Sequence, residues 1–491
     1  MPHLAILKNL NVLRLIEIGF YTSWIGLSRV FTGKYPPGAI NGLVGVLIGD
    51  FHFYGKRSIA LNYAPNLDPK SQATVTQSMR KRTAKVAFRA TTFYHKRLKE
   101  AEINLNNMDD DNFRRIPATT AAEFRGKEES FVNQELKNHS IFYTSTGTTS
   151  YPPSGIWVTR YEMDLFAAMG TFSYLAQGII YPDDIVQISF TSRAGLTNWI
   201  LIEACRRIGA ACYVSGLIDP KDGLLDLSKK RKTPGKKEKA SVLLSYPSYV
   251  DSLVRVAKEA GYSGRDFGLE RIVLVGEILT PSARNRMMDF FECEIREVYN
   301  CSELIPVTGM VCPEGNLHLG GDGEIEVVDP ESFEQVSVGE EGLLCVTPFY
   351  PLRQGTLLLR YTPGDVVKRI NGCACNLGGP VTSNICGKFD PLLMRHGINR
   401  RKLAEVLEDI PGVFVPLHFT LMNDDAKSVL HLRVSSKNDD VSETAYSRLE
   451  KLGVKDVDIV LHLPDERFHH YPTRNEMLEN TFHSLRAEGA L

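Results

Sequence analysis

The chain has 491 residues, 43% hydrophobic and 23% charged, with a net charge of −1. That length allows more than one packed core and predicts two or more domains, while near-neutrality excludes a global field that would recruit nucleic acid. Nine cysteines without a secretory spacing, and no basic stretch leading into a cleavable apolar segment, predict a reducing, cytoplasmic setting.

Taken in chain order, residues 4–30 carry an apolar stripe at helical spacing (Leu10, Leu13, Ile16, Phe20), interrupted by Gly19. The run from Leu43 to Gly49 is too short to span a bilayer. It reads as buried, with peripheral membrane contact as the alternative, and no transmembrane segment is expected. Basic and apolar residues alternate from Ser78 to Glu102 on a predicted helix ending near Lys99. Residues 141–155 begin as a strand-forming run and break into a hydroxyl-rich loop around Gly147. Such a loop suits a polyphosphate: glycine lets the backbone approach, and hydroxyl and N–H groups donate to phosphate oxygens. No Gly-Lys-Ser/Thr follows, which excludes the lysine-bearing P-loop. A Ser/Thr-rich turn without a ligand is the plain alternative.

From 140 to 310 strand and helix patterns alternate, with strands at 185–190, 211–214 and 242–244 and a helix over 196–208. This predicts a mostly parallel sheet layered by helices. Residues 229–239 hold seven basic residues and read as a solvated loop, or as a docking patch for an acidic carrier protein or the 3′-phosphate of CoA.

Three later segments complete a series. They are Tyr299-Asn300-Cys301-Ser302-Glu303, then Arg360-Tyr361-Thr362-Pro363-Gly364-Asp365, then Gly387-Lys388-Phe389-Asp390-Pro391. With the loop at 145–150 they make four motifs in order, from about residue 85 to about 415. In this the chain resembles the adenylate-forming superfamily, and within it the phenylacetate–CoA ligase branch.

The resemblance implies an α/β fold: a large layered N-terminal domain with mostly parallel sheets and a smaller α+β C-terminal lid domain. It divides the chain into a helical extension at 1–84, a large domain at 85–386 and a small domain at 387–491, hinged near 387–391. It implies ATP-dependent, Mg²⁺-requiring activation of a carboxylic acid, most simply an aromatic one, as an acyl-adenylate. Transfer to CoA, a carrier-protein thiol or an amine would follow. Adenylation of an unusual acid such as nitrite, or nucleotide binding without turnover, remain open, as does a homodimeric state.

In the roles the resemblance implies, Thr146, Gly147, Thr148, Thr149 and Ser150 hold the phosphates, Glu303 holds Mg²⁺ and Asp365 takes the ribose hydroxyls. Tyr299 borders the adenine. Asn300, Ser302, Gly276 and Glu277 join the nucleotide site, and Lys388 stands where the family has arginine. Phe190, Trp199, Tyr246 and Tyr249 are candidates to line the acid pocket. Cys312, His318, Cys373 and Cys375 match a loop pair that carries cysteines in some relatives, and three thiolates with an imidazole would make a closed structural zinc site. Cys386 is a substitute ligand.

Two departures stand out. Ser150-Tyr151 replaces the family's Gly-Lys, and no lysine occurs after Lys455, where relatives place a catalytic lysine. Arg474 or Arg467 could supply the charge, as a forked cation rather than a point charge.

Overall fold

The structure, a computed structural model, describes residues 12–54, 69–144, 154–191, 195–320, 323–375, 379–424, 427–435, 437, 439–454, 457–463 and 466. Its largest sheet has eight strands. Five run parallel in the spatial order Ala211–Val214, Ile185–Ile188, Val242–Ser245, Arg271–Val275, Glu294–Tyr299. Thr308–Val311, Asn316–Gly320 and Val381–Ser383 extend it antiparallel. The inner strands are apolar on both faces because helices cover both, as parallel sheets require. Successive side chains alternate between two cores. Leu243, Ile272 and Leu274 pack with Leu253 and Met287 on one side, and Val242, Leu244 and Val273 pack with Leu175 and Leu201 on the other.

A second sheet of six strands departs from the parallel expectation. Gly323–Val328, Glu341–Pro348, Asp365–Lys368 and Gly387–Lys388 pair antiparallel, and the parallel pair is Thr119–Thr120 with Tyr361–Thr362. From Gly323 to Lys388 no helix falls between its successive strands among the described residues, which permits antiparallel pairing.

The helix Pro37–Tyr54 belongs to the body rather than to a separate extension. Val44 and Leu47 are buried against Leu175, Ile179 and Val186. Residue 84 lies inside the helix Pro69–Ala90, so no break in the backbone falls there. The basic run is solvated at Lys229, Lys230 and Lys232 but pinned further on. Lys237 Nζ lies 2.6 Å from the fully buried Asp184 and 2.7 Å from Glu270, and Lys236 Nζ donates to Pro182 O. Asp184 also pairs with Arg271 at 2.6 Å. Part of the run is therefore a strut between strand ends.

The described residues beyond Asp390 build a smaller unit with a core of its own, from Leu393, Leu403 and Leu407 to Leu430, Leu432 and Leu449. Its three-stranded sheet places Lys427–Arg433 between Phe419–Asp424, antiparallel, and Val457–His462, parallel. The unit meets the body mainly through polar groups. Arg401 donates to Ile385 O and Leu279 O, Thr280 Oγ1 donates to Glu408 Oε2 at 2.5 Å, and Asn399 Nδ2 donates to Glu341. Val415 adds an apolar contact.

Candidate active site

The hydroxyl-rich loop connects two paired strands, His139–Thr144 and Gly155–Thr159, with Thr144 opposite Gly155. Thr146 to Ser150 lie outside the described residues, as does Arg474, but the root of the loop is clear. Ser154 Oγ donates to Glu303 Oε1, and Cys301 Sγ lies 3.1 Å from Glu303 Oε2. The loop root and the expected metal carboxylate, 149 residues apart in sequence, are thus in contact.

What fixes the hairpin is a glutamate that sequence reading passed over. Thr159 and Glu162 form a capping box at the start of the helix Arg160–Ala176. Glu162 is fully buried, and its carboxylate also accepts from the backbone N–H groups of Gln354 (2.8 Å) and Gly355 (3.1 Å). Arg353, equally buried, lies 3.8 Å away. Burial pushes the Arg353 pKa down, and Glu162 and Glu303 oppose that shift. Its Nη2 has no partner among the described residues. The Thr-x-x-Glu spacing signals the cap, but nothing local signals the distant backbone it serves.

Tyr299 closes the strand Glu294–Tyr299 and donates its hydroxyl to Asp365 Oδ2 at 2.8 Å. Asp365 follows Gly364, whose φ of +87° suits glycine in this turn. In the sheet register Lys388 sits opposite Asp365, placing Nζ 3.0 Å from Oδ1 and 2.9 Å from Pro363 O. Burial disfavours charge on Lys388, but Asp365, Cys301 and Glu303 outweigh it and raise its pKa. Burial, with the Asp365 charge added, pushes the Tyr299 phenol up and keeps it a neutral donor. Asn300 donates Nδ2 to Thr197 Oγ1 at 3.1 Å, while its buried Oδ1 has no partner among the described residues. Ser302 is half-buried in the turn that follows.

Gly276 takes φ +86° after the strand Arg271–Val275. The carboxylate of Glu277 accepts from Ser248 N and Oγ at 2.8 and 2.9 Å, capping the helix Pro247–Glu259. The four aromatic candidates do not converge on one pocket. Phe190 and Tyr246 meet edge to face at 4.9 Å in one core, Tyr249 is buried in the core on the opposite face of the sheet, and Trp199 packs against a third cluster. Tyr249 sits on the inward face of its helix, where an aromatic serves packing.

Cys312, His318, Cys373 and Cys375 come together, with one ligand atom from each within 4.8 Å of the others. Cys312 Sγ and Cys373 Sγ are 3.7 Å apart and Cys375 Sγ is 3.1 Å from His318 Nε2. Two thiolates on a tetrahedral zinc, each at about 2.3 Å, stand roughly 3.8 Å apart, so the donor set fits that ion. The backbone N–H of Cys375, then the amide of Asn316, lower the Cys373 thiol pKa to about 6, favouring the thiolate that a metal needs. Cys386 lies apart, against Ser383 and Asn384 O.

The family model for AMP-binding enzymes matches residues 67–348, more than half of the chain. The chain belongs to the AMP-binding enzyme family. As a member it is an adenylate-forming ligase. Among solved structures, 2-hydroxyisobutyryl-CoA ligase in the postadenylation state with 2-HIB-AMP matches at a TM-score of 0.67 and 17% identity, over 87% of this chain and 97% of that one. An open conformation of the same ligase, with 2-HIB-AMP and CoA, gives 0.58 at 16% identity over 83% and 94%. ATP-bound MatB from Rhodopseudomonas palustris gives 0.50 at 14% identity over 73% and 69%. At these identities the likeness is one of fold. No curated protein matches the sequence.

Proposed function

We propose that the protein activates a carboxylic acid with ATP, releasing pyrophosphate and forming an acyl-adenylate, and then passes the acyl group to the thiol of CoA. Family membership supports the first half, and the acyl-AMP and CoA named with 2-hydroxyisobutyryl-CoA ligase support the second. The observation that carries the reading is the Tyr299–Asp365–Lys388 cluster with Asn300 Oδ1, which has no partner among the described residues. A carboxylate keeps acceptor capacity for ribose hydroxyls even while Tyr299 and Lys388 use part of it, and an open amide oxygen suits the amino group of adenine.

In this reading Thr146, Gly147, Thr148, Thr149 and Ser150 donate to the phosphates. Glu303 holds Mg²⁺, a hard cation that takes carboxylate and phosphate oxygens and offsets phosphate charge. Arg474 supplies the cation that relatives draw from a lysine, and Ser302 lines the turn that carries Glu303. The small domain at 387–491 acts as a lid turning about 387–391 between half-reactions. Zinc at Cys312, His318, Cys373 and Cys375 staples two loops without an open position for substrate.

An aromatic acid is the proposed substrate class, on the resemblance to phenylacetate–CoA ligases. The absence of lysine after Lys455 favours a second reading in which an unusual acid such as nitrite is adenylated. Pyrophosphate release measured over aromatic acids, fatty acids and nitrite, with and without CoA, separates the two. Release with aromatic acids and a CoA thioester as product supports the first reading. No release with any acid overturns both.

A further inference from the structure

The helix Val12–Thr32 presents an apolar face that nothing among the described residues covers. Ile16, Phe20, Leu27, Val30 and Phe31 are between 58% and 80% exposed, and Trp24 is 44% exposed. At 100° per residue these six fall within an arc of about 120°, one stripe of an amphipathic helix. Its neighbouring face is already seated on the helix Pro37–Tyr54, where the Tyr21 ring lies against Gly42 and leaves no room for a Cβ there. No helix among the described residues is long and apolar enough to cross a membrane.

Charge separates this region from the rest of the chain. Residues 1–90 carry 12 Lys and Arg against 3 Asp and Glu, a net +9, while the whole chain is −1, leaving −10 on residues 91–491. Cations gather at the C-terminal end of the stripe, beside Val30 and Phe31. Arg82 Nη1 donates to Thr32 O at 2.7 Å, Arg29 lies over the Tyr35 ring, and Lys34 lies over the Tyr161 ring. A symmetric pairing with a second copy through this face would bring two +9 regions together, which opposes self-association.

We propose that the outer face of the helix Val12–Thr32 docks the protein on an anionic lipid bilayer. The stripe inserts at the level of the headgroups while the basic residues meet the negative surface, as in amphipathic helices that lie in the membrane plane.

The test uses the full chain and sedimentation with vesicles of phosphatidylcholine alone or mixed with an equal part of phosphatidylglycerol. Binding to the mixed vesicles, weaker on pure phosphatidylcholine and at high salt, is expected. The triple variant Phe20→Ser, Leu27→Ser, Phe31→Ser should lower partitioning by about 100-fold or more. The double variant Lys34→Gln, Arg82→Gln should lower it by about 30-fold. An unchanged melting temperature in both variants shows that the loss comes from the surface. No binding of the wild-type chain to anionic vesicles, or equal binding by the triple variant, overturns the proposal. So does a wild-type dimer, seen by ultracentrifugation, that the triple variant dissolves while vesicle binding is absent.

Discussion

Replacing Glu162 by glutamine tests whether one buried carboxylate holds the loop-bearing hairpin in place. The side chain keeps its shape but exchanges one oxygen for a donor. Oε1 now accepts from Gln354 N, and Oε2 accepts from Thr159 N (2.6 Å) and Gly355 N. Whichever way the amide turns, at least one buried backbone N–H faces an NH₂ group and loses its acceptor, at about 1–3 kcal/mol each. Arg353 also loses its nearest counter-charge while remaining fully buried, so the combined loss should reach about 3–5 kcal/mol, the range for breaking a buried pair. Hydrogen exchange reads this locally and does not require the whole chain to unfold in one step. Protection of the Gly355 amide and of the strands His139–Thr144 and Gly155–Thr159 should fall by about 100-fold or more, as some 3 kcal/mol implies. Pyrophosphate release should fall with it, because Ser154 reaches Glu303 from the same hairpin. Protection within threefold of wild type, with an unchanged melting temperature, would refute the reasoning.

Three further outcomes follow from the geometry. Burial raises the Glu408 pKa to about 7, with Thr280 Oγ1 and the Leu417 N–H opposing; because the folded carboxyl holds its proton above the unfolded value, stability should fall as pH rises from about 4.5 through 7 and then level. Glu408→Gln should flatten that slope in thermal melts across this range, and an unaltered slope would show that the group is not responsible. Asp365→Ala should weaken ATP binding by about 2–4 kcal/mol in calorimetry, and an unchanged affinity would remove Asp365 from the nucleotide site. Purified protein should carry about one zinc per chain by elemental analysis, and Cys373→Ser with Cys375→Ser should abolish it; a metal-free wild type refutes the zinc assignment.

Much of the site was legible because its residues cluster in short, chemically distinctive segments. Tyr299, Glu303, Asp365 and Lys388 were each marked by a motif, and strand register then brings Lys388 opposite Asp365. The apolar runs at 185–190 and 242–244 announced a parallel sheet because both their faces are covered. The antiparallel second sheet was less visible, since strands of two residues such as Tyr361–Thr362 carry no period. Arg353 and Glu162 were missed because their partners lie almost two hundred residues apart. The lysine run misled for the opposite reason: local charge suggests solvent, yet Lys237 finds a buried carboxylate on a neighbouring strand end. The scattered aromatics show a similar limit, since a tyrosine such as Tyr249 looks the same in sequence whether it packs or binds.

The joint between the body and the small unit has a mechanical consequence. Leu279 O, Thr280, Ile385 O, Glu297 and Glu341 meet the small unit as hydrogen-bonding groups, and water can satisfy such groups once they part. The core of the small unit is built from its own described residues, between Leu392 and Leu461. Swinging this unit away would trade one set of polar partners for another while exposing little oily surface. A hinge at such a seam works as a latch rather than a weld, and its strength should vary with salt and pH far more than with temperature.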